Sequence, residues 1–553
     1  MFIKEKLALL IGQAIDELKA NDVIDVLQIP EIAIERPQNI QHGDYSSSIA
    51  LKLSRAAKIA PLDIARKIVE HIKPSEEIEH ISVLPPGFIN FKLKGDWLCA
   101  QVQTIIYKGS KWGDIDIGKG KSVQVEYVSV NPTGPLHIGH GRGAVLGSTL
   151  ANILSAAGYK VQTEYYINDA GSQLNAFKQS LNARFLQHKG IDTAMPENGY
   201  MGNYMIQLAR KIDEKYPGRF DGSNVIEKAD ELGAIGVDLI MDKIREDLEL
   251  LGVSFDLWFS EKSLNEENVY NKVLKFLEDH NYTLKKENAL WFTSSSLGED
   301  KDNVLIRGDG TPTYFAYDIA YHYNKFIQRK FSHVIDIWGA DHQGHVSRMK
   351  SAISAFGVNP DNLTIIICQM VTLKRGEEIV RASKRSGDLI TLRDLLDEVG
   401  ADACRYVFLS RSADSQMDFD IELAKKQSAD NPVYYVQYAH ARISSILKLA
   451  QANNIDYSEG DVHLLIDDAE QLLIRQMLLL PEIVEYAASN LEPHQLPYYA
   501  AELATAFHSF YKKCRVISDN AELTKARLKL VKAAQILLSR TLHLMGMTAP
   551  ESM

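Results

Sequence analysis

At 553 residues the chain is too long for one hydrophobic core, so two to four domains are expected. Its 45% hydrophobic and 24% charged content is ordinary for a soluble globular protein, and the lack of any run of about 18 apolar residues excludes a helical membrane span. A net charge of −11 weighs only weakly against a nucleic-acid partner, because RNA binding depends on local basic surface and not on the sum.

Residues 1–18 place Leu7, Leu10, Ile11, Ala14 and Leu18 on one helical face among Lys4, Glu5, Lys6, Asp16 and Glu17. That pattern predicts an amphipathic helix and not the apolar stretch of an export signal. The first hundred residues mix helical and strand patterns and end in a turn followed by an alternating strand at 83–93. A Gly/Lys-rich connector at 114–122 marks a domain boundary. Next come a strand at 123–127, a helix at 144–157 closed by Gly158, and a strand at 159–167, the order of a βαβ unit. Between 175 and 303 long charged helices, such as 226–251, suggest an insertion and not a continuing sheet. Strand patterns return at 333–337 and 363–368, giving an open α/β sheet split by the insertion. After 429 the chain reads as helices at 433–451, 466–489, 498–517 and 523–545, with Pro481, Pro493 and Pro497 as kinks or breaks. The expected domains are therefore 1–112, 113–428 and 429–553. Cys99, Cys368, Cys404 and Cys514 lack metal-ligand spacing and read as buried, reduced thiols of a cytoplasmic protein.

The most informative segment is Asn131, Pro132, Thr133, Gly134, Pro135, Leu136, His137, Ile138, Gly139, His140, Gly141. It puts two imidazoles at a helix N-terminus, where free backbone N–H groups and the helix dipole favour a phosphate. Gly139 removes a side chain where a nucleotide would lie against the backbone. A second element, Arg381-Ala382-Ser383-Lys384-Arg385-Ser386-Gly387, is a basic, glycine-containing loop suited to the β- and γ-phosphates of ATP, with a solvated turn as its bland alternative. Tyr314 and Asp318, four apart on one helix face, offer a carboxylate and a planar acceptor of the kind a buried guanidinium needs. An ordinary core tyrosine is the alternative there, as an N-cap is for Asn131. Lys512, Lys513, Arg515, Lys525, Arg527, Lys529 and Lys532 concentrate positive charge near the C-terminus, as an RNA surface or a solvated helix face.

The His-x-Gly-His segment resembles the first signature of class I aminoacyl-tRNA synthetases, and the rest of the chain resembles one family among them, the arginyl-tRNA synthetases of bacterial type. The resemblance is carried by residues 41–46, 125–136, 165–171, 339–342, 391–400, 402–406 and 431–439 in that order. It implies an α/β Rossmann-like catalytic domain with a helical insertion, an α+β N-terminal tRNA-binding domain and an all-α anticodon-binding bundle. It implies activation of L-arginine by ATP, with Mg2+ as the nucleotide's counter-ion and no protein-bound metal, then transfer to tRNA(Arg) by a monomer without membrane contact. Catalytic roles fall on His137, His140 and Lys384, and ATP contacts on residues 131–141 with Ser383, Lys384 and Arg385. Arginine contacts fall on Glu126, Ser129, Asn131, His140, Tyr314, Asp318 and His342. Contacts to tRNA fall on Phe88, Asn90, Tyr434, Tyr438, Lys512 and Lys513. The basic loop departs from the common class pattern at Arg381, Ala382 and Arg385 but keeps the central Lys384. Two rival readings are a catalytically inert tRNA-binding paralogue and a small-molecule adenylyltransferase; the second leaves the C-terminal helices without a role.

Overall fold

The computed structural model describes residues 2–169, 171–221, 227–380 and 390–553. They form two compact units: Met1–Gly109 with Ile446–Leu478 and Ala506–Ile536, and Ser110–Ser445 with Leu479–Thr505 and Leu537–Met553.

In the first unit the helix Ile3–Ala20 buries Leu7, Leu10, Ile11, Ala14 and Leu18, the stripe its 3.6-residue spacing predicts, with Ile15 beside them. A three-stranded antiparallel sheet runs in the order Tyr45–Ser47, Phe88–Leu93, Ile78–Leu84. Asp44 precedes it and is buried. One carboxylate oxygen accepts from the Leu93 N–H at 2.7 Å and the other from Arg475 Nε at 2.6 Å, so a segment distant in sequence is tied to the sheet edge. Arg475 lies on Asp468–Met477.

The second unit is built on a five-stranded parallel sheet ordered Leu363–Cys368, His333–Gly339, Ser122–Glu126, Lys160–Ile167, Leu257–Ser260. Strand order reverses between Ser122–Glu126 and His333–Gly339, the switch point at whose carboxyl ends ligands bind in such sheets. Ile138–Ala156 packs on Ser122–Glu126; a Cβ at Gly147 would run into the Tyr127 ring, so the glycine permits the close approach. The strand Leu257–Ser260 corrects the expectation of an unbroken insertion between 175 and 303: the chain returns to the sheet edge after the helix Ala229–Leu250. A three-stranded antiparallel sheet, Thr283–Lys286, Ala289–Phe292 and Asn303–Ile306, also lies within that range. The helix expected over 466–489 is two, Asp468–Met477 and Leu480–Asn490, with Pro481 in the first turn of the second, where its missing N–H costs no helical bond.

Arg405 is a costly polar burial of this unit. Fully buried, it has no carboxylate partner among the described residues and spends its donors on neutral oxygens: Nε on the Met545 carbonyl at 2.5 Å, Nη1 on the Leu251 carbonyl at 3.1 Å, Nη2 on Ser148 Oγ at 2.9 Å. Burial lowers its pKa to about 10. Among the described residues no helix is long and apolar enough to cross a membrane.

Candidate functional site

The helix carrying the two imidazoles begins at Ile138, six residues before the sequence expectation, with His137 as its N-cap. Gly139, Gly141 and Gly143 depress helix propensity and disguise its first turn as loop. The His137 N–H donates to His140 Nδ1 at 3.2 Å, and the two rings stack with centroids 3.4 Å apart. With Nδ1 as acceptor, His140 carries its proton on Nε2 and presents a donor from there. Burial, reinforced by His137, pushes the His140 pKa down to about 3, and burial lowers His137 as well. Burial thus disfavours the cationic form of both rings in the free protein, and a neutral imidazole still offers one N–H donor. A Cβ at position 139 would lie 3.0 Å from the His137 ring, so the glycine first makes room for the imidazole.

The loop before this helix is tied down at several points. Asn131 donates its side-chain amide to Gln173 Oε1, and the Thr133 carbonyl accepts from Tyr204 OH at 2.7 Å. Gly134 faces the Tyr204 ring, and Leu136 is fully buried. Leu136 and His137 also meet the chain that follows the basic loop: the Leu392 N–H donates to the Leu136 carbonyl at 2.8 Å, and His137 bridges Thr391. A Cβ on Gly141 would sit 2.6 Å from the end of the Leu392 side chain, which would have to move aside. Arg142, fully buried, donates to the carbonyls of Gln369, Ser412 and Ser415 at 2.7–2.9 Å. The chain that follows the basic loop is thus anchored to the His-x-Gly-His segment. Ser383, Lys384 and Arg385, with the rest of 381–389, lie outside the described residues.

Tyr314 and Asp318 share the helix Tyr314–Tyr323, whose N-cap is the Thr313 side chain. The Tyr314 hydroxyl points to Gly171, which brings the segment 165–171 against this helix. Burial raises the Asp318 pKa, offset in part by the positive ends of His322, Arg348 and His342. Sequence reasoning missed a second carboxylate here. Glu261, just after Leu257–Ser260, accepts from Tyr166 OH at 2.6 Å, and burial, with Asp318 and Asp169 nearby, raises its pKa to about 7. Burial thus holds both carboxyls above their usual range, and Arg348 is a cation of the chain near Asp318. No motif marks Glu261; the strand ahead of it was the only available signal.

Glu126 sits deeper. Lys325 Nζ reaches its carboxylate at 2.5 Å and that of Asp336 at 2.8 Å, and His322 Nε2 lies 2.9 Å from Asp336. Desolvation raises Glu126, whereas Lys325 and His322 hold Asp336 down at about 2. The shared Lys325 ammonium is the cation that Glu126 faces here. Ser129 Oγ accepts from the Tyr166 N–H at 3.0 Å. His342 is exposed on the turn Ala340–His345, 3.4 Å from Asp341.

The residues expected at tRNA divide. Phe88 is exposed at the start of its strand, but Asn90 is only 3% exposed, between Ser46 and Ser82 of the flanking strands. Its place in the central strand withdraws its side chain from solvent. Tyr434 and Tyr438 stack on each other, 5.8 Å between centroids, on Pro432–Ala452. Lys512 and Lys513 are exposed at the end of Gln495–Lys513, where cations suit the helix dipole. Arg527 is paired with Glu470 at 2.6 Å and Lys529 is buried, so part of the basic cluster serves the unit's interior.

Residues 5–93 match the family described as "Arginyl tRNA synthetase N terminal domain", 101–444 "tRNA synthetases class I (R), catalytic domain", and 436–553 "DALR anticodon binding domain". An arginine–tRNA ligase of Dehalococcoides mccartyi is 56% identical, covering 98% of each chain, and one of Moorella thermoacetica is 45% identical, covering 100% of this chain and 99% of the relative. The fold is similar to that of Thermus thermophilus arginyl-tRNA synthetase, with a TM-score of 0.80, 22% identity and full coverage of both chains.

Proposed function

The chain belongs to the arginyl-tRNA synthetase family, and from that membership we propose how its residues divide the work of arginine activation and tRNA charging. In the first step a carboxylate oxygen of L-arginine attacks the α-phosphorus of ATP. The bond to the bridging oxygen breaks, and pyrophosphate leaves with the electron pair. Such a transfer depends on positioning and charge stabilisation and needs little covalent help from side chains. His137 and His140 donate hydrogen bonds to phosphate oxygens from the N-terminus of Ile138–Ala156, with residues 131–136 and Gly141 shaping the nucleotide's berth. Lys384, between Ser383 and Arg385, neutralises the departing pyrophosphate, to which Mg2+ arrives bound as the counter-ion of ATP.

The guanidinium of the substrate lies between Asp318 and Glu261, with Tyr314 beside it. Ser129, Asn131 and His140 serve the backbone end of the amino acid, and His342 lies at the rim. Glu126 acts through the buried Lys325 pair that shapes the pocket floor. In the second step a ribose hydroxyl of the terminal tRNA adenosine attacks the arginyl carbonyl and AMP leaves; class I membership implies the 2′-hydroxyl. Phe88, Tyr434, Tyr438, Lys512 and Lys513 are the proposed tRNA contacts. The protein acts as a cytoplasmic monomer built of domains 1–112, 113–428 and 429–553.

The observation that carries the specificity is the pair of carboxyls, Asp318 and Glu261, held together without a cation of the chain directly on them among the described residues. Aminoacylation with each of the twenty amino acids and total tRNA tests it. Arginine is the expected substrate; a different amino acid charged more efficiently, or tRNA bound but never charged, overturns the assignment.

A further inference from the structure

The chain leaves the central strand Ser122–Glu126 by an unusual route. Val128 and Ser129 both adopt positive φ, 70° and 43°. For a β-branched residue that conformation is a true outlier, because Cβ crowds the following carbonyl. Residues 128–129 would not hold this turn unaided; the neighbouring strand Lys160–Ile167 imposes it. The Tyr127 N–H still pairs with the Glu164 carbonyl, and beyond that point the next two residues of the neighbouring strand act as clamps. The Tyr166 N–H donates to Ser129 Oγ, and the Tyr165 hydroxyl donates to the Val130 carbonyl at 2.9 Å. The Tyr165 ring is itself fully buried, stacked on Trp258 with centroids 4.5 Å apart and edge-on to Phe255 at 5.5 Å. It cannot swing away from the carbonyl it holds.

The two tyrosines point to opposite faces of the sheet, as adjacent strand residues must. Tyr166 OH reaches Glu261, at the proposed guanidinium end of the pocket; Tyr165 OH reaches Val130, between Ser129 and Asn131 at the proposed backbone end. Strain that persists only because its surroundings over-determine it is a marker of a site whose geometry matters. We infer that Tyr165 is a positioning residue for arginine: its hydroxyl holds the left-handed Val128–Ser129 turn and so sets where Ser129 and Asn131 meet the amino acid. This rests on the arginine-activating reading of the site and adds a residue that touches neither substrate.

The test uses the full-length protein with tRNA and measures KM for arginine, KM for ATP and the melting temperature. Tyr165→Phe removes one hydroxyl and keeps the ring. It should raise the arginine KM roughly 5- to 20-fold while the ATP KM stays within about 2-fold of wild type. Val128→Gly should leave the arginine KM near wild type, because glycine takes positive φ without penalty. In the Tyr165→Phe background it should bring the arginine KM back to within about 3-fold of wild type, since the turn then no longer needs holding. A tyrosine that only packed the core would show no such rescue. An unchanged arginine KM in Tyr165→Phe, equal losses for arginine and ATP, a collapse in melting temperature, or a loss that Val128→Gly does not reverse would each overturn the inference. Failure of the wild-type protein to charge arginine would instead overturn the functional reading, and this inference with it.

Discussion

Replacing Asp318 by asparagine isolates the charge of one pocket carboxylate at nearly constant shape. In the free protein this carboxyl is raised by burial, so it is costly to keep ionised until a cation arrives. Losing one partner of a buried, hydrogen-bonded ion pair costs about 3–5 kcal/mol. Glu261 remains to face the guanidinium, which trims the expected loss to about 2–4 kcal/mol, a roughly 30- to 700-fold weaker affinity for arginine at about 1.4 kcal/mol per tenfold. The sign for stability is opposite: removing a carboxyl that burial raises should leave the ligand-free protein about as stable as before, the desolvation relieved offsetting the lost attraction to Arg348. Calorimetric titration of arginine, tRNA charging at varied arginine, and thermal melting without ligand measure the two quantities separately. Citrulline, a neutral isostere of the side chain, serves as the control, and its disadvantage relative to arginine should shrink in the variant. An arginine affinity within 3-fold of wild type would refute the placement of the guanidinium at Asp318. So would a loss matched by an equal fall in melting temperature.

Glu261 gives a pH dependence with a definite direction. With its pKa near 7 in the free protein, it is increasingly protonated as pH falls from 8 to 6, so arginine should bind more weakly at pH 6 and release a proton on binding there. For folding the sign reverses: a carboxyl raised from 4.5 adds stability below 4.5 that fades as pH climbs through 7. Glu261→Gln should flatten the arginine-binding profile, and an unaltered profile would remove Glu261 from the pocket. His140, lowered to about 3 by burial, should contribute no titration to kcat between pH 5.5 and 7.5 at saturating arginine; a limb near 6.5 that disappears in His140→Asn would contradict the neutral-donor role. His140→Ala should slow adenylate formation by about 10²–10³, the usual loss for a transition-state donor. Lys384→Ala should slow adenylate formation, measured as pyrophosphate exchange with tRNA present, more than it weakens arginine binding. Equal losses would make the basic loop structural.

What could be read in advance depended on whether a residue's role was local. The stripe Leu7, Leu10, Ile11, Ala14, Leu18 and the strand Leu363–Cys368 follow from periodicity and composition within a few turns of chain, and both lie where expected. His137, His140, Tyr314 and Asp318 stood out because chemistry and spacing coincide within one short segment. Glu261 did not: a carboxylate after the four-residue strand Leu257–Ser260 looks like any solvated loop acid until the fold encloses it. That strand was itself hidden, because charged helices surround it and four residues cannot establish a period. Gly139, Gly141 and Gly143 masked the first turn of the signature helix for the opposite reason, since packing against Leu392 overrides low local propensity. Asn90 was placed at tRNA by the family resemblance, and its burial in the central strand is a matter of register that the residue itself does not announce. The left-handed Val128–Ser129 turn has no sequence signature at all, since valine is the residue least suited to it.

The Arg405 guanidinium also bears on when, during synthesis, this body becomes able to fold. Its Nε is satisfied by the carbonyl of Met545, and Leu537–Met553 closes the same unit that begins at Ser110. A nascent chain emerging from the ribosome would carry a desolvated cation lacking its last acceptor until that segment cleared the exit tunnel. The unit that begins at Ser110 is therefore completed only once Leu537–Met553 has been made, and chains that stop short of it should remain loose and protease-accessible.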